Sequence, residues 1–335
     1  MGVSEHLVTA PDLTVDLAPR NPRELVLRNP VIPASGCFGY GLEYSNIIDV
    51  QRLGAFVSKG ITPKPRAGNP MPRITETPSG MLNAIGLQNP GISAFIRKYP
   101  PIWESWDVPA IVNISAESIE DFVLMARRLD EVPGVAAIEV NISCPNINAG
   151  GFCFGWDADM TAEVTRAVRA VTTLPIIVKL SPGALDIVEI AQAAEEAGAD
   201  AVSLINTLVG MVIDTRRRRP MIANTTGGLS GPAVKPVAVR MVYQVAQGVS
   251  IPIIGMGGIT SINDALEFFM AGASAIQIGT AMFVQPTVAI DLIDQLPIWL
   301  ESQGLASLSE IVGSANPRFH AHIDQTTLDA AATSG

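Results

Sequence analysis

The segment Glu139-Val140-Asn141-Ile142-Ser143-Cys144-Pro145-Asn146, followed by Gly150-Gly151, carries the densest chemistry in this chain. An apolar, β-branched run from Ala137 to Val140, broken by one glutamate, gives way to polar chain punctuated by proline and glycine. One of only three cysteines sits just past the break, between two asparagines. A strand that stops and at once presents a thiol flanked by amides is built like a site. An ordinary thiol titrates at about 8.5, close enough to neutrality for its thiolate to act as a base. His6, His320 and His322 lie near the chain ends, away from every expected strand exit, which argues against histidine bases and histidine metal ligands. The acids Glu139 and Asp214 form no evident metal cage, so no metal site is expected. Cys144 is left as the candidate proton-transfer group.

Positioning such a group takes a scaffold, and the chain repeats one. Pro109-Ala-Ile-Val-Asn-Ile-Ser115, Pro175-Ile-Ile-Val-Lys-Leu-Ser181 and Pro252-Ile-Ile-Gly-Met-Gly-Gly258 are each a proline-led apolar strand ending in small or polar residues. In Ala197-Gly-Ala-Asp-Ala-Val-Ser-Leu-Ile-Asn206 and Ala271-Gly-Ala-Ser-Ala-Ile-Gln-Ile-Gly279 a helix stops at glycine and a buried strand follows. The spacing predicts strands at 31–35, 55–58, 110–114, 136–141, 176–180, 201–205, 252–255 and 275–279. Apolar 3–4 periodicity predicts helices over 119–129, 162–171, 187–197 and 262–271. Eight such units imply a closed (β/α)8 TIM barrel; a doubly wound open sheet shares the alternation without needing the count of eight. Segments 14–17 and 24–27 read as an N-terminal β-hairpin capping one barrel end. The excursions 60–105 and 207–237 read as inserted active-site loops.

On this map Ser35, Lys59, Asn113, Asn141 with Cys144, Lys179, Asn206 with Thr207, Gly257-Gly258 and Gly279-Thr280 all fall at strand exits, where barrels place chemistry. A lone asparagine there is ordinarily a turn former and a lone cysteine core filler; a full ring of such groups is not explained that way. The glycines at the seventh and eighth exits suit a phosphate site. Lys179, leaving a buried strand, is costly to bury without a partner and suits a negative charge on a bound ring.

Composition narrows the class. Apolar residues make up 48% and charged residues 16% of the 335, against roughly 25% charged in typical soluble proteins. This suits parallel strands covered on both faces and surface given to a partner. The formal charge of −10 argues against nucleic acid, and the basic run Arg216 to Arg219 reads as a solvated loop or subunit contact. No apolar run is long enough to span a membrane, and no signal region opens the chain. Three cysteines without a Cys-x-x-Cys pair fit a reducing cytoplasm and offer no cluster framework.

Together Asn83-Ala-Ile-Gly-Leu-Gln-Asn89, Asn141-Ile-Ser-Cys-Pro-Asn146, Asn206-Thr207, Gly227-Gly-Leu-Ser-Gly231, Ala34-Ser-Gly36, Gly257-Gly258 and Gly279-Thr280 resemble the class 1 dihydroorotate dehydrogenases, catalytic subunit, in order and spacing from about residue 13 to 313. Class 2 enzymes place a serine where Cys144 stands. Gln88 replaces a proline typical of the fumarate-using class 1A, and Gly150-Gly-Phe-Cys-Phe-Gly155 is similar to the class 1B loop. The resemblance implies oxidation of (S)-dihydroorotate to orotate in de novo pyrimidine (UMP) biosynthesis, with Cys144 removing the C5 proton and the C6 hydride passing to FMN. It implies an FMN site of Ser35, Lys59, Gly60, Asn113, Asn141, Lys179, Ile205, Gly231, Gly257, Gly258, Gly279 and Thr280. The implied substrate site is Lys59, Asn83, Ala84, Ile85, Gly86, Leu87, Asn141, Asn206 and Thr207. Subclass 1B implies a homodimer joined by a subunit carrying FAD and a [2Fe–2S] cluster, a heterotetramer that passes electrons to NAD. The expected organisation is a single domain over 1–315 and a flexible tail over 316–335, which has no counterpart in the family. Alternative readings are a class 1A enzyme, a dihydropyrimidine dehydrogenase-like enzyme, and a non-catalytic flavin-binding barrel subunit.

Overall fold

A computed structural model describes residues 10–143 and 154–320. Eight parallel strands form the central sheet: Val31–Pro33, Phe56–Val57, Ala110–Ile114, Ala137–Asn141, Ile176–Lys179, Ala201–Leu204, Ile253–Met256 and Ala275–Ile278. Numbered one to eight along the chain, they lie side by side in the order one, eight, seven, six, five, four, three, two. The seam between one and two is bridged where Gly54 N–H donates to the Val31 carbonyl at 3.1 Å. A Cβ at Gly54 would stand 1.9 Å from the Asn29 carbonyl oxygen, so only glycine lets the seam close. The architecture is the expected (β/α)8 barrel, with strand ends within a residue or two of those predicted.

The sequence explains why these strands form. Each is short, rich in isoleucine and valine, and buried on both faces. Pro109, Pro175 and Pro252 stand at strand entrances and give only a carbonyl to the neighbouring strand, accepting from Phe56, Ile138 and Val202 N–H. Proline has no N–H to lose there. Helices cover the outside. Those at Ile119–Leu129 and Ile262–Ala271 match the expected ranges. The helix Ala158–Arg169 begins earlier than predicted because Asp157 caps it, accepting from Met160 N–H at 2.9 Å. Its buried face includes Thr161 and Thr165, whose hydroxyls bond to the Phe154 and Thr161 carbonyls, so the apolar period is masked.

The N-terminal hairpin pairs Val15 with Leu27 and Asp16 with Val26. Asn21 Nδ2 donates to Asp200 at 3.1 Å and Arg23 to the Asp130 carbonyl at 3.0 Å, which seats the hairpin where strands enter the barrel. At the exit end the two long excursions meet. Leu208–Gly210, Gly227–Ser230, Gly80–Asn83 and Ile74–Thr77 pair, in that order, into one antiparallel sheet. Arg216 to Arg219 lie at the tip of a small hairpin, where Asp214 accepts the N–H groups of Arg216 and Arg217 at 3.0 Å. Of the expected tail, Asn316 is fully buried and donates to the Tyr243 carbonyl, and Arg318 donates to the Ala246 and Val249 carbonyls; residues 321–335 lie outside the described residues. Among the described residues no helix is long and apolar enough to cross a membrane, and no group of three or more potential metal ligands occurs.

One polar clamp braces the loop after strand seven. Asp264 closes a capping box with Ser261 and receives Lys235 Nζ at 2.7 Å. Burial works to raise the Asp264 carboxyl, but Lys235, Thr260 and Ser261 bring it down to about 2. A lowered folded-state pKa gives stability that is present above the unfolded value and lost as pH falls through the folded one. Asp264→Ala is expected to cost about 1–2 kcal/mol at neutral pH, the size of a lost cap. The deficit should shrink between about pH 4 and pH 2. Urea denaturation of both proteins across that range checks this, and a pH-independent deficit refutes it.

Candidate active site

The strand exits converge on one mouth, and a chain of side-chain contacts runs around it. On strand four's exit, Asn141 Oδ1 accepts from Ser143 Oγ at 2.8 Å, and Asn206 Nδ2 from strand six's exit donates to Ser143 Oγ at 2.6 Å. Asn206 Oδ1 in turn accepts from Thr207 N–H at 2.7 Å. Gly228 packs on that threonine: a Cβ there would lie 2.0 Å from Thr207 Oγ1. Gly228 is also the register partner of Asn83, whose Nδ2 donates to the Gly228 carbonyl at 3.4 Å. Asn83, Asn141, Asn206 and Thr207 are therefore brought together.

The loop after Asn83 turns on glycine and is held by an arginine. Gly86 takes φ +74°, with Asn69 packed where a side chain would stand, and Leu87 takes φ +54°. Arg73 accepts Ala84 N–H on its carbonyl at 2.8 Å, and its guanidinium donates to Gln88 Oε1. Asn69 N–H donates to the Ile85 carbonyl at 3.0 Å. The Leu87 side chain reaches the space above Gly60, where a Cβ would also lie 2.8 Å from Asn113 Oδ1. Lys59, half-buried beside Gly60, has its pKa lowered by burial and by the Arg73 charge, with Glu43 opposing.

Asn113 and Lys179 are nearly sealed from solvent, at 0% and 5% exposure. Both lean on Glu139, which sequence reasoning set aside: Asn113 Nδ2 donates to its Oε1 at 2.6 Å, and Lys179 Nζ stands 3.5 Å from the same oxygen. Ser203 and Gln277 donate to the other oxygen at 3.0 and 2.9 Å. Asn113 Oδ1 is buried with no partner, an acceptor whose burial is costly until a donor reaches it. The signal for the missed group was a polar residue in the middle of a short, otherwise apolar run: Glu139, Ser203 and Gln277.

Ile205 follows strand six, buried, its N–H donating to the Met256 carbonyl at 3.0 Å. Gly257 at φ +127° and Gly258 at φ +78° follow strand seven. A Cβ at Gly258 would meet the Gly231 carbonyl oxygen at 2.8 Å, which joins this turn to the 227–231 segment. Thr280 Oγ1 donates to Ser230 Oγ at 2.7 Å and draws in the eighth exit. Gly279 is next to Cys37, 3.5 Å from its Sγ to a Cβ built on the glycine, and Ser35 lies partly buried in the same turn. Burial pushes the Cys37 thiol up to about 11, against the pull of Lys179, so it stays protonated near neutrality. Cys144, the expected base, and Cys153 lie outside the described residues.

The arrangement offers a cation, unsaturated amide acceptors and donors, and a glycine-lined exit pair. It suits a planar, amide-bearing heterocycle together with an anion. The dihydroorotate dehydrogenase family profile matches residues 21–300. The chain is 58% identical over 290 residues to the "Dihydroorotate dehydrogenase B (NAD(+)), catalytic subunit" of Trichlorobacter lovleyi, covering 87% of this chain and 95% of that protein. It is 55% identical over 304 residues to the protein so named in Pelobacter propionicus, covering 91% and 98%. For that of Geobacillus kaustophilus the figures are 54% over 289 residues, 86% and 92%.

Two glycines separate backbone strain from close approach. Gly36, at φ +87°, has open space around a built Cβ, whereas Gly258 would drive one into backbone atoms of Gly231 and Lys235. Gly36→Ala is expected to cost about 1–2 kcal/mol for left-handed backbone alone. Gly258→Ala should cost about 1–3 kcal/mol more. Calorimetric unfolding of the two variants compares them; equal losses contradict the close packing assigned to Gly258.

Proposed function

The chain belongs to the dihydroorotate dehydrogenase family, and on that footing we propose that it is the FMN-bearing catalytic subunit of an NAD-linked enzyme that oxidises (S)-dihydroorotate to orotate in pyrimidine biosynthesis. The observation that carries this reading is the convergence of Asn83, Asn141, Asn206 and Thr207 on one mouth, with Lys59 at the exit of strand two. Two amides and a carboxylate on a small ring need paired donors and acceptors plus a cation, and this set offers them. The backbone of Ala84, Ile85, Gly86 and Leu87, on the turn held by Asn69 and Arg73, would complete the substrate site.

The residues present fit a flavin mononucleotide. Asn113 Oδ1 is a buried acceptor awaiting a donor, Lys179 is a buried cation, and Gly231, Gly257 and Gly258, packed closely on neighbouring chain, together with Gly279 and Thr280 gather the seventh and eighth strand exits where a barrel commonly holds a phosphate. Ser35, Lys59, Gly60, Asn141 and Ile205 complete the set assigned to it. When bound, FMN supplies the acceptor for the C6 hydride. Cys144 takes the C5 proton as its thiolate, leaving the C5–C6 double bond of orotate. The asparagines hold the ring amides so that both hydrogens leave a fixed substrate.

A second subunit carrying FAD and a [2Fe–2S] cluster would link this site to NAD, in a cytoplasmic heterotetramer built on a homodimer of this chain. The support is the naming of the relatives as NAD-linked catalytic subunits, which disfavours the fumarate-dependent alternative. Residues 1–315 act as the single catalytic domain.

Cys144→Ser should keep FMN and orotate binding while slowing flavin reduction by about 10²–10⁴-fold near neutral pH, the usual worth of a general base. Partial recovery is expected at high pH. Stopped-flow reduction by dihydroorotate reads this; wild-type rates in the variant would remove Cys144 from the mechanism. Turnover with NAD⁺ should appear only when the second subunit is added, and rapid turnover with fumarate by the lone chain would exclude the NAD-linked assembly.

A further inference from the structure

We propose that Glu139 is a positioning residue that sets the redox poise of the flavin site by holding Lys179 and cancelling its charge. The inference rests on the flavin reading above. Glu139 is fully buried in strand four, and its carboxylate gathers Asn113, Lys179, Ser203 and Gln277 from strands three, five, six and eight. Strands four and eight face each other across the barrel, so these groups meet in its interior. None of the five residues exceeds 5% exposure.

Net stability alone does not explain such a carboxylate. A buried ion pair is commonly no more stabilising than apolar packing of the same volume. Its effect falls instead on the two partners assigned to the flavin, Asn113 and Lys179. An uncompensated ammonium at that depth favours an electron-rich ring, and in low dielectric the preference is strong. Glu139, with its Oε1 3.5 Å from Lys179 Nζ, offsets that bias. The consequence is a reduced flavin that still gives up its electrons readily, which the onward transfer requires.

Glu139→Gln tests this with little change of shape. The glutamine keeps an acceptor for Asn113 Nδ2, and a flip of the Gln277 amide brings its Oε1, buried without a partner in the wild type, to the new amide donor in place of the Nε2 that faces Glu139 now. FMN content is measured first, then the flavin is equilibrated with reference dyes. The expected result is unchanged FMN stoichiometry and at least a tenfold rise in the reduced-to-oxidised ratio at a given dye potential, about 30 mV for a two-electron couple. The double variant Glu139→Gln/Gln277→Glu returns a carboxylate to the cluster and should bring the ratio back toward wild type. A purely structural role would lower the melting temperature and leave the ratio alone, so an unmoved ratio in FMN-replete Glu139→Gln protein overturns the inference. Should that variant not accumulate, Glu139→Asp is read instead. It retracts the carboxylate from Lys179, and a smaller shift of the same sign is expected, none being a refutation. If wild-type protein takes up no FMN, the flavin reading itself fails, an outcome distinct from both.

Discussion

The geometry of the mouth depends on one buried carboxylate. Glu139 has no solvent to share its charge, so its partners must come from the protein. Strands three, five, six and eight each supply one. Removing one side of such a pair commonly costs about 3–5 kcal/mol, a large part of a domain's stability. The cluster also discriminates between registers. Side chains alternate across a strand, so a slip of one residue would turn Glu139 or Lys179 outward into the apolar helix layer. The observed pairing of Asn113 with Glu139, and of Asn141 with Lys179, leaves all four on the inner side. Polar chemistry at the mouth and correct closure of the barrel are thus one requirement.

Above that floor, the site is finished by chain that is distant in sequence. The excursions from strands two and six share a four-stranded sheet, and only in that sheet does Asn83 face Gly228. The sheet places the 83–87 turn over the mouth, while Asn206 and Ser143 link strand six to strand four beneath it. The excursion from strand two is anchored by aromatic packing, with Phe95 and Phe56 edge-on to Trp103 and Trp103 Nε1 donating to the Tyr40 carbonyl. A loop so anchored holds its donors in place before any ligand arrives, which lowers the ordering cost of binding.

Much of this was legible in the sequence, for identifiable reasons. Barrel strands are buried on both faces, so each reads as a short β-branched run, and proline and glycine marked their ends. The ring of polar exits followed once the strands were placed. Three features were not legible. The helix starting at Ala158 hides its face behind threonines that satisfy their own hydroxyls. The pairing of the two excursions depends on contacts more than a hundred residues apart, which no local pattern encodes. Gln88 stood out only as a departure from a resemblance, and its bond to Arg73 became visible with the fold.

Glu139 adds a fourth, since its residue type alone suggests only a metal ligand. Alternation supplies the better criterion. Residues two apart on a strand share a face, so Glu139 lies directly below Asn141. A polar residue one step deeper than a rim residue, on the same face, cannot reach solvent and cannot be a turn former. Its remaining role is to satisfy or charge-balance what stands above it. Glu139 below Asn141 and Gln277 below Gly279 both obey this rule, and Ser203 beside Lys179 supplies the matching donor. The chemistry of such a barrel is therefore written in two layers, an outer one that meets the ligand and an inner one that fixes its charge.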